Sequence, residues 1–139
     1  MFILDTNVVS ELRKTRLGRA DAHVAGWAKS VPPTSLFLSA ITILELELGI
    51  LILERRDPAQ SAALRSWLDS QVLPAFSDRI LPVDISVARR CAKLHSPDPR
   101  PERDALIAAT ALVHGMTVVT RNVSDFDTTG VSILNPWTT

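Results

Sequence analysis

The sequence predicts an α/β domain, with a mostly parallel central sheet of four to five short strands and helices on both faces. Two observations lead there. Short apolar runs of strand length stand at Phe2–Leu4, Leu36–Leu38, Ile80–Val83, Thr117–Thr120 and Val131–Leu134. The segments between them place apolar residues at the three- and four-residue spacing of helices. Strands alternating with helices in this way build a parallel sheet buried on both sides. At 139 residues the chain reads as one domain, 1–139, long enough to bury a core without staples.

The first strand stops abruptly at Asp5-Thr6-Asn7, and a helix follows through Val8, Val9, Glu11 and Leu12. Arg13 to Arg19 is a basic connector. A helix from about Arg19 to Lys29 carries Ala20, His23, Val24 and Trp27 on one face, until Val31-Pro-Pro-Thr-Ser35 breaks it. The second strand leads through Ser39-Ala-Ile-Thr42 into a helix from Ile43 to about Arg56. After Asp57-Pro58, a further helix from Ala59 to about Leu73 buries Ala63, Leu64, Trp67 and Leu68. Pro82 cannot donate to a sheet ladder, which puts the third strand at an edge or makes Pro82 terminal. Ser86 to His95 is a helix closed by the Pro-rich loop Ser96 to Pro101. The Ala-rich helix Glu102 to His114 ends at Gly115, and the fourth and fifth strands flank the turn-rich stretch Asp125 to Gly130.

Composition narrows the function. Lys plus Arg and Asp plus Glu each number 15, so no broad basic surface for unselective nucleic-acid binding is indicated. Cys91 is the single cysteine, so no internal disulfide forms. The start lacks a secretory signal, and the longest apolar stretch, Leu36 to Leu53, is interrupted by Glu45 and Glu47. A soluble cytoplasmic protein with no membrane association is expected.

In open α/β sheets, ligands bind beyond the carboxyl ends of the strands, and Asp5 stands at such an end. Three more acids occupy similar places. Glu45 lies in the first turn of the helix after the second strand, Asp104 opens the Ala-rich helix, and Asp125 follows the fourth strand. Each has a plainer reading. Asp5 or Asn7 could cap a helix. Thr42-Ile-Leu-Glu45 matches a capping box. Asp104 could serve the helix dipole and Asp125 a turn. If the four meet on one edge, each close pair repels by about 4 kcal/mol at ~4 Å and an effective dielectric of ~20, tolerable only around cations or with raised pKa values. Oxygen-only ligands suit Mg²⁺ or Mn²⁺, which can hold a phosphate and activate water.

The stretches Leu4-Asp-Thr-Asn-Val-Val-Ser-Glu-Leu12, Ser39-Ala-Ile-Thr-Ile-Leu-Glu-Leu-Glu-Leu-Gly49, Asp104-Ala-Leu-Ile-Ala-Ala-Thr-Ala111, Val119-Thr-Arg-Asn-Val-Ser-Asp-Phe126 and Asn135-Pro-Trp137 together resemble PIN-domain toxins of the VapC type, nearest the FitB-like branch. The resemblance covers nearly the whole chain and implies a PIN-like three-layer fold. It further implies a metal-dependent endoribonuclease leaving 5′-phosphate products. Such a toxin of a type II toxin–antitoxin pair is a homodimer, held inactive by a small cognate antitoxin with a DNA-binding domain. By the resemblance, Asp5, Glu45 and Asp104 are metal ligands. Many relatives carry Asp where this chain has Asn122, so Asp125 takes the fourth place, with Asn122 as a neutral or water-mediated ligand and Asp127 as a weaker candidate. Thr6, Asn7, Thr42 and Thr120 would orient carboxylates and waters. Arg121 is a candidate for RNA phosphate, with a surface ion pair as its plainer role.

Rival readings remain at this stage. One is a metal-free ribonuclease using His23, His95 or His114, each of which also has a structural explanation. Another is a phosphotransferase with Asp5 as nucleophile, although Asn7 stands where that chemistry wants a second Asp. A third is a non-catalytic module of the same fold that docks an antitoxin-like partner on apolar helix faces between Ile43 and Leu73.

Overall fold

The computed structural model describes all residues, Met1–Thr139. Five strands form one parallel sheet: β1 (Phe2–Leu4), β2 (Leu36–Ser39), β3 (Ile80–Leu81), β4 (Thr117–Val119) and β5 (Ile133–Leu134), in the spatial order β3-β2-β1-β4-β5. The chain works outward from β1 to β3, then returns to the other side of β1. The strand order therefore reverses between β1 and β4, the switch point at which open α/β sheets bind ligands.

Successive residues of the central strands feed opposite cores, the signature of a sheet covered on both faces. Leu4, Val119, Leu36 and Leu38 join one apolar cluster with Val8, Val9, Trp27, Leu46, Ile50, Leu68 and Val72. Ile3 and Val118 point the other way, into a second cluster with Ile107, Ala108, Ala111 and Phe126. The first face is covered by α1 (Thr6–Arg13), α2 (Ala22–Ser30) and α4 (Pro58–Trp67) with its continuation. The second is covered by α7 (Glu102–His114), whose outer side holds α6 (Ile85–Leu94) through Val87, Cys91, Ala105 and Ala109. Between the layers, α3 (Ala40–Leu53) gives Ile41 to one core and Leu46 and Ile50 to the other.

The expected elements are present, with shifted bounds. The basic connector tightens into a 3₁₀ turn at Lys14–Leu17, and α2 starts at Ala22 because Asp21 caps it through the N–H groups of His23 and Val24. The third strand stops at Leu81, before Pro82, and occupies the sheet edge. The helix after Asp57 widens into a π-helical turn, Leu68–Val72, just before α5 (Leu73–Ala75), where Pro74 withholds a backbone donor. Gly115 ends α7 at φ 66°, the left-handed conformation that a side chain would resist. No helix is long and apolar enough to cross a membrane.

Candidate metal centre

Asp5 leaves β1 at the switch point, tied to β4 because its N–H donates to the Val119 carbonyl at 2.9 Å. Its side chain is buried, at 5% exposure, and performs two tasks. Oδ1 caps α1 by accepting from the Thr6 N–H at 2.8 Å. Oδ2 accepts from Thr120 Oγ1 at 2.8 Å and from the Asn7 amide at 3.2 Å. The capping role and the cleft position are thus both real. Burial pushes the Asp5 carboxyl above its usual range; the Thr120 and Thr6 donors oppose this, while the charges of Glu45 and Asp125 reinforce it.

Glu45 is brought to the same place by α3. The capping box expected at Thr42 does not form: Ser39 caps the helix through the Ile41 N–H, one turn earlier. Glu45 is therefore free of the helix start, and Thr6 Oγ1 donates to its Oε1 at 2.7 Å. Its Oε2 faces Arg103 Nη1 at 3.7 Å. Thr42, a turn before Glu45, is fully buried and its hydroxyl has no hydrogen-bond partner, so it orients no carboxylate here.

Asp104 sits in the first turn of α7. Its carboxyl is pushed up to about 6, first by burial and then by the charges of Asp5, Asp125 and Glu45. The charges of residues 5, 45 and 125 thus all act on Asp104, which puts the four acids in one local field. Asp125 acts on Asp104 from the 3₁₀ turn Val123–Asp125; Asp125 and Asp127 are both exposed, but Asp127 does not figure in the field at Asp5 or Asp104. Asn122 enters through its backbone, its N–H donating to Thr120 Oγ1 at 3.0 Å. Arg121 is exposed, donates its N–H to Asn7 Oδ1 at 3.3 Å, and lies over the Trp137 ring at 5.1 Å rather than in an ion pair.

The donor set fits a hard divalent ion. Burial disfavours charge at two of the four carboxylates, Asp5 and Asp104, and Asp104 has no hydrogen-bond donor to offset it. An ion of charge +2 would remove that penalty directly.

The PIN-domain family matches residues 2–130. The chain belongs to that family. This PIN domain is 38% identical over 144 residues to the VapC ribonuclease Y4jK of Sinorhizobium fredii, covering 99% of this chain and 98% of that protein. It is 37% identical to the toxin FitB of Neisseria gonorrhoeae, covering 99% of both. The crystal structure of FitAcB from Neisseria gonorrhoeae superposes with a TM-score of 0.87 at 36% identity, covering 99% of each chain. The three-layer PIN fold expected from the sequence is thereby shown.

A second gathering of ligand-type side chains escaped the sequence reading. Cys91 and His95 on one face of α6 meet Glu102 at the start of α7, with one ligand atom from each within 4.8 Å of the others. The i, i+4 spacing of Cys91 and His95 could have signalled it. Here the Arg100 N–H donates to His95 Nδ1 at 3.0 Å, so the neutral ring carries its proton on Nε2, which faces Glu102 Oε2 at 3.0 Å. With that lone pair unavailable, the cluster fastens α6 to α7 without a cation. His23 contacts the Thr139 carbonyl, and His114 is exposed at the far end of α7, so no histidine joins the four acids.

Proposed function

We propose that this PIN domain is a divalent-metal-dependent endoribonuclease, the toxin of a toxin–antitoxin pair. The observation that carries the reading is the shared field of Asp5, Glu45, Asp104 and Asp125 at the β1/β4 switch point. These four would hold Mg²⁺ or Mn²⁺. When bound, such an ion grips a phosphate oxygen, acidifies an attacking water and stabilises the leaving 3′-oxygen. The protein's own part is orientation. Thr120 and Asn7 fix Asp5 Oδ2, Thr6 fixes Glu45 Oε1, and Asp104 keeps both oxygens free of protein donors. Asn122 would contribute through water. Arg121, unpaired with any acid and steadied by Trp137, would take a backbone phosphate beside the cup.

The relatives named as a VapC ribonuclease and as the FitB toxin support the reaction class, and the FitAcB structure supports a partnered state. In this chain Leu44, Leu48, Leu51 and Ile52 form an exposed apolar stripe along α3, at 48%, 36%, 53% and 57% exposure. A second copy or a small antitoxin would cover it. The experiment is RNA cleavage by the purified protein with Mg²⁺ or Mn²⁺, with EDTA, and by Asp5→Asn. Cleavage that needs the ion and disappears in a folded Asp5→Asn protein supports the reading. Cleavage that survives EDTA, or full activity in Asp5→Asn, ends it.

A further inference from the structure

Away from the acids, α6 presents a face of unusual charge. Its sequence, Ile85-Ser-Val-Ala-Arg-Arg-Cys-Ala-Lys-Leu94, holds three cations and no acid. Arg89 and Lys93 are four residues apart and Arg90 and Lys93 three, spacings at which like charges repel by a few tenths of a kcal/mol. None of the three has an ion-pair partner, whereas Lys14, Arg65, Arg79 and Arg103 all do. Of the acids beside α6, Asp84 caps the helix through the Val87 N–H at 2.9 Å, and Glu102 faces Cys91 and His95. What sets α6 apart is that its three cations share one short helix with no acid in it.

They also shape a surface. Ser86, Arg89, Arg90 and Lys93, with Ile85 and Val113, line an open groove of about 320 Å³ between α6 and the end of α7. None of the four acids lines it, and its α7 residue, Val113, stands at the opposite end of that helix from Asp104. Lys93 closes the groove near the C-terminal end of α6. Arg89 is one turn, about 6 Å, before it. Two guanidinium forks, an ammonium and a hydroxyl form a donor set for phosphate oxygens.

We infer that the groove of Ser86, Arg89, Arg90 and Lys93 is an RNA backbone-binding surface, separate from the four acids. The inference rests on the nuclease reading for the identity of the polyanion, but binding can be measured without cleavage. Electrostatic contacts of this kind set affinity and orientation, not base preference.

The test compares the parent with Arg89→Gln/Arg90→Gln/Lys93→Gln, using a fluorescein-labelled single-stranded RNA of about 20 nucleotides, anisotropy, and Ca²⁺ in place of Mg²⁺. All three positions are exposed, and thermal melting checks that the variant folds. The expected result is binding weaker by about tenfold at low salt, and a log–log salt slope shallower by about 2 for three lost single-strand phosphate contacts. With Mg²⁺, KM for RNA rises while kcat holds. Arg89→Lys/Arg90→Lys, which keeps the charges, retains the slope. Equal affinity and slope in parent and triple variant overturn the inference, as does a parent that binds no RNA. Loss of an acidic protein partner with RNA binding intact overturns it in favour of a protein-docking surface. Altered binding in a parent that never cleaves RNA leaves the surface standing and removes the nuclease reading instead.

Discussion

Two places in this PIN domain gather side chains of the kind that bind metals, and they are built on opposite principles. At the switch point, four carboxylates meet with few donors among them, and burial plus mutual repulsion drive Asp104 to about 6. At the α6–α7 junction, Cys91, His95 and Glu102 place one ligand atom each within 4.8 Å, but complement one another: Arg100 donates to the imidazole, whose Nε2 faces the carboxylate. Burial and the Glu102 charge push the Cys91 thiol up, so it stays a neutral packing group. Proximity alone does not define a metal site. What distinguishes the first cluster is like charge: Asp104 has no donor and is raised by burial and by Asp5, Asp125 and Glu45.

The sharpest way to break this contrast is to remove charge from each cluster in turn. Asp5→Asn and Asp104→Asn should each lower RNA cleavage by on the order of a thousandfold, since each removes an ion ligand. Glu102→Gln should leave cleavage and Mg²⁺ dependence unchanged, because its cluster serves packing. A loss of metal dependence in Glu102→Gln would erase the distinction.

Metal binding should appear as stability in one cluster only. Mn²⁺ at about a hundred times its dissociation constant stabilises a folded protein by ~2.7 kcal/mol, or roughly 5–10 °C in Tm for a domain of this size. The parent should show that shift, Asp104→Asn should lose most of it, and Cys91→Ser should keep it.

The acid cup also predicts an inverted pH response. The Asp104 carboxyl rises from 3.8 unfolded to about 6 folded, so the folded state binds its proton more tightly. Without metal, stability is highest below pH 3.8 as far as this group is concerned, and is lost as pH rises through about 6. Asp5, also raised, acts in the same direction. Asp104→Asn should therefore melt at a higher temperature than the parent at pH 7.5 without metal, and the gap should close at pH 4. A variant less stable than the parent at pH 7.5 would show that the carboxylate is not strained.

Smaller effects should follow from the donors around the cup. Thr6→Ala and Thr120→Val leave the acids in place but unfix their oxygens, and should weaken metal affinity about 10- to 100-fold. Thr42→Val replaces a buried, unpartnered hydroxyl by a methyl and should be neutral or slightly stabilising. A fall in activity in a stable Thr42→Val protein would assign that hydroxyl to a water at the metal.

Much of this was legible in the sequence because it depends on local pattern. Apolar runs bounded by Asp5, Ser39 and Thr120 define strands and their tips whatever the tertiary contacts, and the acids follow at those tips. The resemblance to PIN-domain toxins then ordered the acids into one set. What was not legible depends on long-range geometry. The choice between Ser39 and Thr42 as the α3 cap turns on a backbone angle, and either residue satisfies the pattern. Pro82 argued for an edge or terminal position, but the run Ile80–Val83 did not reveal that only Ile80 and Leu81 would pair. The Thr6–Glu45 bond joins residues 39 apart, and the His95–Glu102 contact spans a loop whose path no periodicity describes. The asymmetry of charge, with acids at the switch point and bare cations on α6, is hidden in a composition that sums to zero.

The central claim, that the four acids act as one unsatisfied cup for a divalent ion, is tested most directly by ¹³C NMR of the side-chain carboxyls during a Mg²⁺ titration. The account predicts that Asp5, Glu45, Asp104 and Asp125 shift along a common binding curve, and that the Asp104 titration midpoint falls from about 6 toward its ordinary value. Carboxyl signals that do not respond to the ion, or an Asp104 midpoint that stays in place while the others respond separately, would contradict it.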